Sequence, residues 1–481
     1  MQYYLAIDIG ASSGRHILGH VEDGRLVLEE MHRFDNRQLR RDGHDVWDLD
    51  NLWCGILAGL KACKAAGKIP ATVGLDTWGV DFVLLDGNDN LIGDAVAYRD
   101  HRTAGMVEEF EKIIPAKELY ARAGIQFQNY NTIYQLAALQ KEHPEHIAAA
   151  KRILMVPEYI NFLLTGVKQH EYTIASTTSL LNAASQDWDE VILEKMGLPR
   201  GIFGDIAMPG ATLGHLRPEI RDEIGFDAEV VLPATHDTGS AFLAIPAKDD
   251  NAVYISSGTW SLLGVENEAP ITTPVSFEEN FTNEGGAYSR YRYLKNIMGL
   301  WMIQSIRREL NGVVYVQGKE QRTEAAKKWS FDDLVNEAKK AADFSSRIDV
   351  NKPRFLAPDS MSEEIRKECL ATNQPVPETV GELMQCVYAS LADCYKNAID
   401  GLSHITGKKY TSINIVGGGC QDTYLNELTS RATGLTVYAG PVEGTAIGNL
   451  IVQMIKAGDL ADLQTARNAV RKSFDIFEYL I

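Results

Sequence analysis

Residues 3–21 read YYLAIDIGASSGRHILGHV, which is an apolar run, a turn of small residues and a second apolar run. Two short strand patterns joined by a tight turn of this kind predict a β-hairpin. The Asp23-Gly24 pair then predicts another turn, and residues 26–30 follow it as a further strand. We therefore expect the first half of the chain to be built on an antiparallel hairpin.

The same pattern returns at residues 252–265, where Ser256-Ser257-Gly258-Thr259 separates two apolar runs. We interpret the two hairpins as the starts of two halves built on one plan, although two unrelated hairpins would produce the same pair of patterns. The stretch AIPAKDDN at residues 244–251 lies between the halves. We therefore predict one domain at residues 1–245 and a second at residues 246–481.

Helix and strand patterns alternate along the rest of the chain. Residues 48–66 place apolar side chains on one helical face, with Asp48 or Asp50 as the capping residue. Residues 382–405 predict a long amphipathic helix, and residues 412–456 predict a strand, three glycines, a helix, a strand and a helix. This alternation with short connections predicts an α/β fold.

The length of 481 residues predicts two or three domains. The composition is that of a globular protein, since 45% of the residues are hydrophobic and 23% are charged. A net charge of -18 argues against a nucleic-acid partner, because no excess of Lys and Arg is available for the phosphates. The six cysteines form no CxxC pair, and residues 1–10 lack the features of a signal peptide. No run approaches the roughly 20 apolar residues that cross a bilayer. We expect a cytoplasmic protein without a membrane partner.

Asp8 stands beside the small-residue turn at residues 10–15. Small residues let backbone N–H groups approach phosphate oxygens, and a carboxylate can hold Mg²⁺, often through water. The sequence contains no GxxxxGK[ST] motif, so the turn is not a P-loop. A plain hairpin turn, in which glycine supplies an unusual φ, would show the same residues. We treat the turn as a candidate phosphate and metal site.

Two features of the second half complete a candidate nucleotide site. Ser257-Gly258-Thr259 is another small-residue turn, and its threonine hydroxyl is a candidate contact for a γ-phosphate. Gly417-Gly418-Gly419 precedes a predicted helix, where backbone donors and the positive end of the helix dipole suit an anion. Close packing would also explain three glycines. The spacing does not match the GxGxxG motif of a dinucleotide fold.

A loop carboxylate is the candidate for proton transfer. Asp237 lies in the run Thr235-His236-Asp237-Thr238-Gly239, after an apolar strand pattern. Such a carboxylate can accept the proton of an attacking hydroxyl in phosphoryl transfer. An Asx turn or a helix N-cap would place the same residue there, and the helical pattern at residues 240–245 is consistent with capping.

Two further motifs carry aromatic or charged side chains. In TWGVD at residues 77–81, Trp78 either covers an apolar sugar face while Gly79 exposes its backbone, or is a core residue at a tight turn. In YRDHR at residues 98–102, the polar cluster either binds substrate or forms an ion-paired domain edge, and we favour the edge.

With these residues in view, the chain resembles the FGGY family of carbohydrate kinases from about Tyr4 to Lys456. The motifs that carry the resemblance are DIGASSGR (8–15), TWGVD (77–81), HDT (236–238), TNEGG (282–286), KNIMGLW (295–301) and GGGCQ (417–421). ASSGR and KNIMGLW are similar to the branch of the family that phosphorylates L-rhamnulose, rather than to glycerol or xylulose kinases.

The resemblance implies two ribonuclease-H-like α/β domains of the actin and hexokinase superfamily, with a ligand cleft between them. It implies a set of ATP-binding residues, namely Ala11, Ser12, Ser13, Gly14, Arg15, Thr259, Gln304 and Gly418. It implies a set of sugar-binding residues, namely Gly79, His236, Asp237, Thr238 and Asn296. In this family pattern Asp237 is the general base, and Asp8 helps to hold Mg²⁺.

The resemblance also implies the reaction, which is transfer of the γ-phosphoryl group of ATP to the 1-hydroxyl of L-rhamnulose in L-rhamnose catabolism. Two alternatives stay open at this point. The acceptor is instead another ketose or polyol, such as L-fuculose or xylulose, or the chain is a non-catalytic ATPase of the same superfamily. The loop at residues 236–238 and Asn296 argue against the second alternative, because a pure switch needs no substrate-facing polar groups.

Overall fold

The computed structural model describes residues 2–316, 319–325 and 327–480. The chain forms two compact units. The first unit comprises the residues up to Pro246 together with Val265–Leu294 and Glu443–Phe474, and the second comprises Ala247–Gly264, Lys295–Val442 and the residues from Asp475 onward. Each unit is therefore built from more than one stretch of the chain. A domain division between residues 245 and 246 stays a prediction.

The strands, in chain order, are β1 (Tyr3–Ile9), β2 (Ser13–Glu22), β3 (Arg25–Asp35), β4 (Gln38–Arg41), β5 (His44–Trp47), β6 (Pro70–Thr77), β7 (Phe82–Leu85), β8 (Arg152–Met155), β9 (His170–Glu171), β10 (Leu181–Asn182), β11 (Asp187–Trp188), β12 (Ile206–Ala207), β13 (Thr212–His215), β14 (Glu229–Val231), β15 (Ala252–Ser257), β16 (Trp260–Asn267), β17 (Thr282–Gly285), β18 (Tyr291–Met298), β19 (Val313–Val316), β20 (Lys319–Arg322), β21 (Ser412–Val416), β22 (Thr436–Ala439) and β23 (Phe477–Tyr479).

The helices, in chain order, are α1 (Leu49–Ala65), α2 (Met106–Phe110), α3 (Ala116–Ala123), α4 (Thr132–Glu142), α5 (Pro144–Ala149), α6 (Val156–Thr165), α7 (Tyr172–Ala175), α8 (Glu190–Met196), α9 (Pro218–Ile224), α10 (Asp237–Leu243), α11 (Pro274–Glu278), α12 (Trp301–Leu310), α13 (Phe331–Lys340), α14 (Met361–Ala371), α15 (Val380–Thr406), α16 (Thr423–Thr433), α17 (Gly444–Ala457) and α18 (Leu463–Ser473). Within the described ranges, no helix has the length and apolar composition needed to cross a bilayer.

The sheet of the first unit has six strands in the order β13-β14-β6-β1-β2-β3. β1 pairs antiparallel with β2 and parallel with β6, and β6 pairs parallel with β14, whose other neighbour β13 is antiparallel. β1 is buried along almost its whole length, as expected of a central strand covered on both faces. The predicted hairpin of β1 and β2 is confirmed.

The second unit repeats this arrangement of strands. Its sheet includes β16, β15, β21, β22 and β23 as neighbours in that order. The pairings run antiparallel, parallel, parallel and antiparallel. The order β2-β1-β6-β14-β13 of the first unit has the same four pairings in the same sequence. The prediction that both halves are built on one plan is confirmed by this topology.

Helix caps and close helix packing follow from individual residues. Asp48, one of the two capping residues that the sequence pattern allowed, caps α1, since its side chain accepts from the Asn51 backbone N–H at 3.1 Å. In the first unit α17 packs against α10 at Gly448, where an added Cβ would lie 1.7 Å from the Ser240 carbonyl oxygen. Only glycine therefore allows the two helices to come this close.

Candidate active site

An arginine between two carboxylates marks the end of the first hairpin. Asp8 on β1 lies opposite Arg15 on β2, and the Arg15 Nε and Nη2 donate to Asp8 Oδ2 at 2.9 and 2.7 Å. Arg15 Nη1 lies 2.7 Å from Glu443 Oε2, just before α17. Although burial opposes the charged form, Asp8 and Glu443 keep the pKa of Arg15 above its usual value. The turn thus holds a permanent cation in a fixed position.

Asp76 is a buried carboxylate that the sequence patterns did not identify. It sits on β6 directly beside Asp8 in the parallel register, and it is fully buried. Its Oδ2 accepts from Asn449 Nδ2 at 2.6 Å, whereas its Oδ1 has no hydrogen-bond partner among the described residues. Burial and then the charge of Asp8 raise the pKa of Asp76. The two neighbouring carboxylates repel each other, and Asp76 Oδ1 has no hydrogen-bond partner among the described residues. Such a pair is suited to binding a cation.

Asp237 is the first residue of α10, and its side chain is 29% exposed. His236, not Asp237, is the N-cap residue, so the capping interpretation of Asp237 is wrong. Asp237 Oδ1 accepts from the Thr238 backbone N–H at 2.5 Å and from Thr238 Oγ1 at 3.0 Å. Burial, together with the charge of Asp8, raises the pKa of Asp237, against a lowering contribution from His236. The carboxylate is thus partly exposed, and its raised pKa makes it a stronger base than an ordinary aspartate.

The loop that precedes Asp237 is held by the backbone and by a buried glutamate. The Thr77 backbone N–H donates to the Thr235 carbonyl at 2.9 Å. Glu171 accepts from the Thr235 backbone N–H and hydroxyl at 3.1 and 2.5 Å, and burial raises the pKa of this carboxyl. The His236 backbone N–H donates to Thr173 Oγ1 at 3.2 Å. These bonds fix the direction in which Asp237 leaves the loop.

Gly79 and His236, two of the predicted sugar-binding residues, are neighbours. A Cβ added at Gly79 would lie 3.1 Å from His236 Nε2 and 3.4 Å from Thr177 Cγ2. The ring of His236 also contacts Glu284 and Arg292, which come from the TNEGG motif and from β18. No sequence pattern connected these two residues to His236, because they are separated from it by about fifty residues.

Trp78 belongs to the core, which decides between its two interpretations. It is 5% exposed, and its ring lies 4.2 Å from that of Trp47. The indole N–H groups of Trp78 and Trp47 donate to Asp81 Oδ2 at 2.9 and 2.6 Å. Burial raises the pKa of Asp81 to about 6, against the hydrogen bonds that it accepts. Trp78 therefore packs in the core next to the turn, and Gly79 is the residue of the motif that lies beside His236.

The polar cluster at residues 98–102 is hydrogen-bonded to neighbouring elements of the first unit. Asp100 accepts from His44 Nδ1 and from the Asp45 and Arg102 backbone N–H groups, each at 2.9 Å. Arg102 donates to Gln135 Oε1 at 2.7 Å. These partners attach the cluster to the β4–β5 hairpin and to α4, and its place at a domain edge stays a prediction.

The small-residue turn at residues 11–14 is held by its own backbone and by Asn36. Gly10 N–H donates to the Ser13 carbonyl at 2.9 Å, and the Asn36 backbone N–H donates to the Ser12 carbonyl at 3.1 Å. Gly14 lies opposite Phe34, whose ring would be 2.2 Å from an added Cβ. Neither glycine has a positive φ, so an unusual φ does not explain them. Ala11 completes the turn.

In the second unit the turn after β15 is joined to α12. The Leu300 and Trp301 backbone N–H groups donate to the carbonyls of Gly258 and Thr259 at 3.1 and 3.2 Å. Gln304 lies one turn further along α12, where its backbone N–H donates to the Leu300 carbonyl at 2.8 Å. The structure therefore places Gln304 close to the Thr259 turn, as a shared nucleotide site requires. Asn296 is a half-buried residue of β18.

The three glycines after β21 pack against the same turn. A Cβ on Gly419 would lie 2.0 Å from Ser257 Oγ, and one on Gly417, which has a φ of +88°, would lie 2.7 Å from the Ser257 carbonyl oxygen. A Cβ on Gly418 would meet nothing within 4 Å. A 3₁₀ turn spans Gly418–Gln421, and the helix predicted after the glycines is α16, which begins at Thr423 and is capped by Asp422. Close packing explains Gly417 and Gly419, and open space remains at Gly418.

Family models match nearly the whole chain. The model described as the FGGY family of carbohydrate kinases, N-terminal domain, matches residues 3–244. The model of the C-terminal domain of the same family matches residues 253–457. The two matches together extend over both hairpins and all the site residues described above.

Curated relatives and solved structures agree with these matches. The chain is 47% identical to a rhamnulokinase of Halalkalibacterium halodurans, over 100% of this chain and 99% of the relative. It is 48% identical to a rhamnulokinase of Oceanobacillus iheyensis, over 99% and 98% of the two chains. Crystal structures of a gluconate kinase and of a xylulose kinase from Lactobacillus acidophilus each superpose with a TM-score of 0.78 at 17% identity, over all of this chain and 93% and 94% of those chains. These structures share the two-domain α/β fold, and the chain belongs to the FGGY family of carbohydrate kinases.

Proposed function

We propose that this chain transfers the γ-phosphoryl group of ATP to the 1-hydroxyl of L-rhamnulose, giving L-rhamnulose 1-phosphate and ADP in L-rhamnose catabolism. The identity to rhamnulokinases of 47% and 48% over nearly complete chains supports the choice of acceptor. The observation that carries the reaction type is Asp237, an accessible carboxylate on a loop that Glu171 and Thr77 hold in place.

Asp237 is the general base of the proposed reaction. One of its carboxylate oxygens takes the proton of the sugar 1-hydroxyl while the hydroxyl oxygen forms a bond to the γ-phosphorus. The bond from that phosphorus to the β–γ bridging oxygen breaks, and ADP leaves with the electron pair. The raised pKa of Asp237 favours this role, because a carboxylate with a higher pKa accepts a proton more readily.

The sugar is held by small and polar residues in this proposal. Gly79 leaves the space beside His236 Nε2 open, which a larger side chain would occupy. His236, Thr238 and Asn296 supply polar groups for the sugar hydroxyls. Because the loop of His236 and Thr238 also carries Asp237, a sugar bound there has its reactive hydroxyl near the base.

ATP is held by two groups of residues in this proposal. In the first unit, the turn of Ala11, Ser12, Ser13 and Gly14 offers backbone donors, and Arg15 offers a fixed positive charge to the phosphates. Thr259, Gln304 and Gly418 are the other residues that we propose to contact the nucleotide. The open space at Gly418 leaves its backbone free of side-chain neighbours that would block a ligand.

A divalent cation, which we propose to be Mg²⁺, fits the carboxylates of the first unit. Asp8 and Asp76 are the residues that would hold it. The fit rests on the buried Asp76 Oδ1, which lacks a hydrogen-bond partner among the described residues, and on the repulsion between the two carboxylates. When bound, the ion supplies positive charge that offsets the charge on the transferring phosphoryl group.

We propose a cytoplasmic location for this reaction. All six cysteines are free thiols, as is usual in a reducing compartment. The net charge of -18 gives no support to a nucleic-acid partner.

A sugar panel tests the proposed function. ADP formation is measured in a coupled assay with L-rhamnulose, L-fuculose, xylulose and glycerol at equal concentrations, with Mg²⁺ and ATP. We expect the highest kcat/KM for L-rhamnulose. A clear preference for another sugar would overturn the choice of acceptor. ATP hydrolysis at the same rate with and without sugar would overturn the kinase assignment itself.

A further inference from the structure

His236 has a buried arginine behind it. Arg292 on β18 is 0% exposed, and its Nε donates to the Gly285 carbonyl at 2.7 Å. Its Nη1 lies 3.1 Å from Glu284 Oε2, and its Nη2 lies 3.1 Å from His236 Nδ1. The guanidinium therefore spans the β17–β18 hairpin and reaches the ring of His236 with one defined nitrogen.

The chemistry of arginine determines what His236 Nδ1 does. A guanidinium carries only N–H donors, and it does not lose its proton in proteins. A contact of 3.1 Å between Nη2 and Nδ1 is therefore favourable only if Nδ1 accepts the hydrogen bond. An accepting Nδ1 carries no proton, so the proton of a neutral ring is on Nε2.

Glu284 does not reverse this assignment. Its Oε2 lies 3.3 Å from the same Nδ1, and a carboxylate alone would favour a proton there. Arg292 Nη1 lies closer to that oxygen, at 3.1 Å, and offsets its charge. The charged groups that face His236 are thus Asp237 on α10, Glu284 on β17 and Arg292 on β18.

The remaining ring nitrogen points to the proposed sugar site. His236 Nε2 is 3.5 Å from Asp237 Oδ1 and 3.1 Å from the place that a Cβ of Gly79 would occupy.

We propose that Arg292 and Glu284 are positioning residues that hold His236 as the neutral tautomer with its proton on Nε2. This N–H then donates to an oxygen of the bound sugar. The site therefore selects sugars that carry an oxygen acceptor next to the reactive hydroxyl. The proposal rests on the proposed function for the identity of the sugar, whereas the tautomer is a property of the ligand-free protein.

The tautomer is measured directly by NMR. The full chain is labelled with ¹⁵N-histidine, and the ring signals of His236 are assigned by their absence from the spectrum of His236→Gln. We expect a nitrogen without a proton at Nδ1 and a protonated nitrogen at Nε2, at the pH of the assay. A proton on Nδ1, alone or together with one on Nε2, would overturn the proposal.

Two matched variants test the positioning role. Arg292→Lys keeps a positive charge but loses the planar fork that contacts Gly285, Glu284 and His236 together. Arg290→Lys makes the same change two residues away on the same hairpin, and it serves as the control. We expect Arg292→Lys to raise the KM for sugar about tenfold, to leave the KM for ATP unchanged and to produce a mixture of His236 tautomers.

The outcomes separate this proposal from the proposed function. If Arg292→Lys matches Arg290→Lys in sugar KM and in the His236 spectrum, the positioning role is wrong. If Arg292→Lys fails to fold, as shown by circular dichroism, the wild-type spectrum still decides the tautomer. If the sugar panel fails but the proton is on Nε2, the proposed acceptor is wrong and the assignment of the tautomer stands.

Discussion

The turn between β1 and β2 and the turn between β15 and β16 hold the same place in two sheets with the same strand order, but their chemistry differs. The first turn is bordered by charges, because Asp8, Arg15 and Glu443 form a linked set. The second turn is neutral, and it is packed by Ser257 against the glycines that follow β21.

We propose that the two turns, which have the same place in one strand order, have different tasks. In both units the hairpin lies inside its sheet, so its turn comes at the end of the strands, whatever residues it contains. In the first unit, long charged side chains flank that turn, which suits binding of a cation and of phosphate charge. In the second unit, the turn offers backbone groups and the Thr259 hydroxyl but no charged side chain. Such groups are suited to orienting a nucleotide by hydrogen bonds.

We expect the largest effect on kcat when one residue of the charged turn and one residue of the neutral turn are substituted and compared. Arg15→Met removes the fixed cation and leaves Asp8 and Glu443 unpaired, so we expect kcat to fall by about 100-fold or more. Thr259→Val removes one hydroxyl, so we expect kcat to change little and the KM for ATP to rise about three- to tenfold. Steady-state kinetics with varied ATP measures both. Equal losses of kcat in the two variants would remove the distinction between the turns.

Packing of the second turn is tested by two neighbouring glycines. Gly419→Ala places a Cβ 2.0 Å from Ser257 Oγ, so we expect a loss of about 1–3 kcal/mol in the free energy of unfolding. Gly418→Ala meets no atom within 4 Å, and we expect stability close to wild type with a raised KM for ATP. Thermal unfolding and ATP kinetics measure the two effects. A Gly418→Ala variant as unstable as Gly419→Ala would contradict the described packing.

A smaller effect is expected from the buried carboxylate of the first unit. Because the pKa of Asp76 is raised in the folded state, the folded protein holds this proton more tightly than the unfolded chain. The contribution of Asp76 to stability therefore falls as the pH rises from the unfolded pKa, near 3.8, through the raised folded pKa. Asp76→Asn removes this pH dependence and can still accept from Asn449. We expect it to stabilise the metal-free protein above that range, by on the order of 1 kcal/mol.

Magnesium provides the control for the Asp76 prediction. Mg²⁺ should raise the Tm of the wild-type protein, since a ligand that binds only the folded state stabilises it. It should raise the Tm of Asp76→Asn less. An equal shift in both proteins would show that Asp76 does not hold the ion.

Much of the fold was predictable from the sequence, because hairpins and amphipathic helices are local patterns. The β1–β2 hairpin, the β15–β16 hairpin and the start of α1 near Asp48 all follow from residues close together in the chain. The helix after the three glycines is α16, as predicted, but the 3₁₀ turn at Gly418–Gln421 and the Asp422 cap between them were not predicted.

The site was predictable only in part, because several of its contacts join distant residues. Asp76 is a single carboxylate at the end of an apolar strand, and its importance depends on the register with Asp8. Glu443 contacts Arg15 across more than four hundred residues, and Arg292 reaches His236 from another strand. Such contacts leave no periodic signal in a single sequence.

The central claim is that Asp237 accepts the proton of the sugar hydroxyl. The direct test compares kcat of the wild-type protein with that of Asp237→Asn, and Asp222→Asn, the same change at an exposed residue of α9, is the control. We expect Asp237→Asn to lose about 10²- to 10⁴-fold in kcat while ATP binding and Tm stay close to wild type, and we expect Asp222→Asn to be unchanged. A kcat of Asp237→Asn within a few-fold of the wild-type value would contradict it.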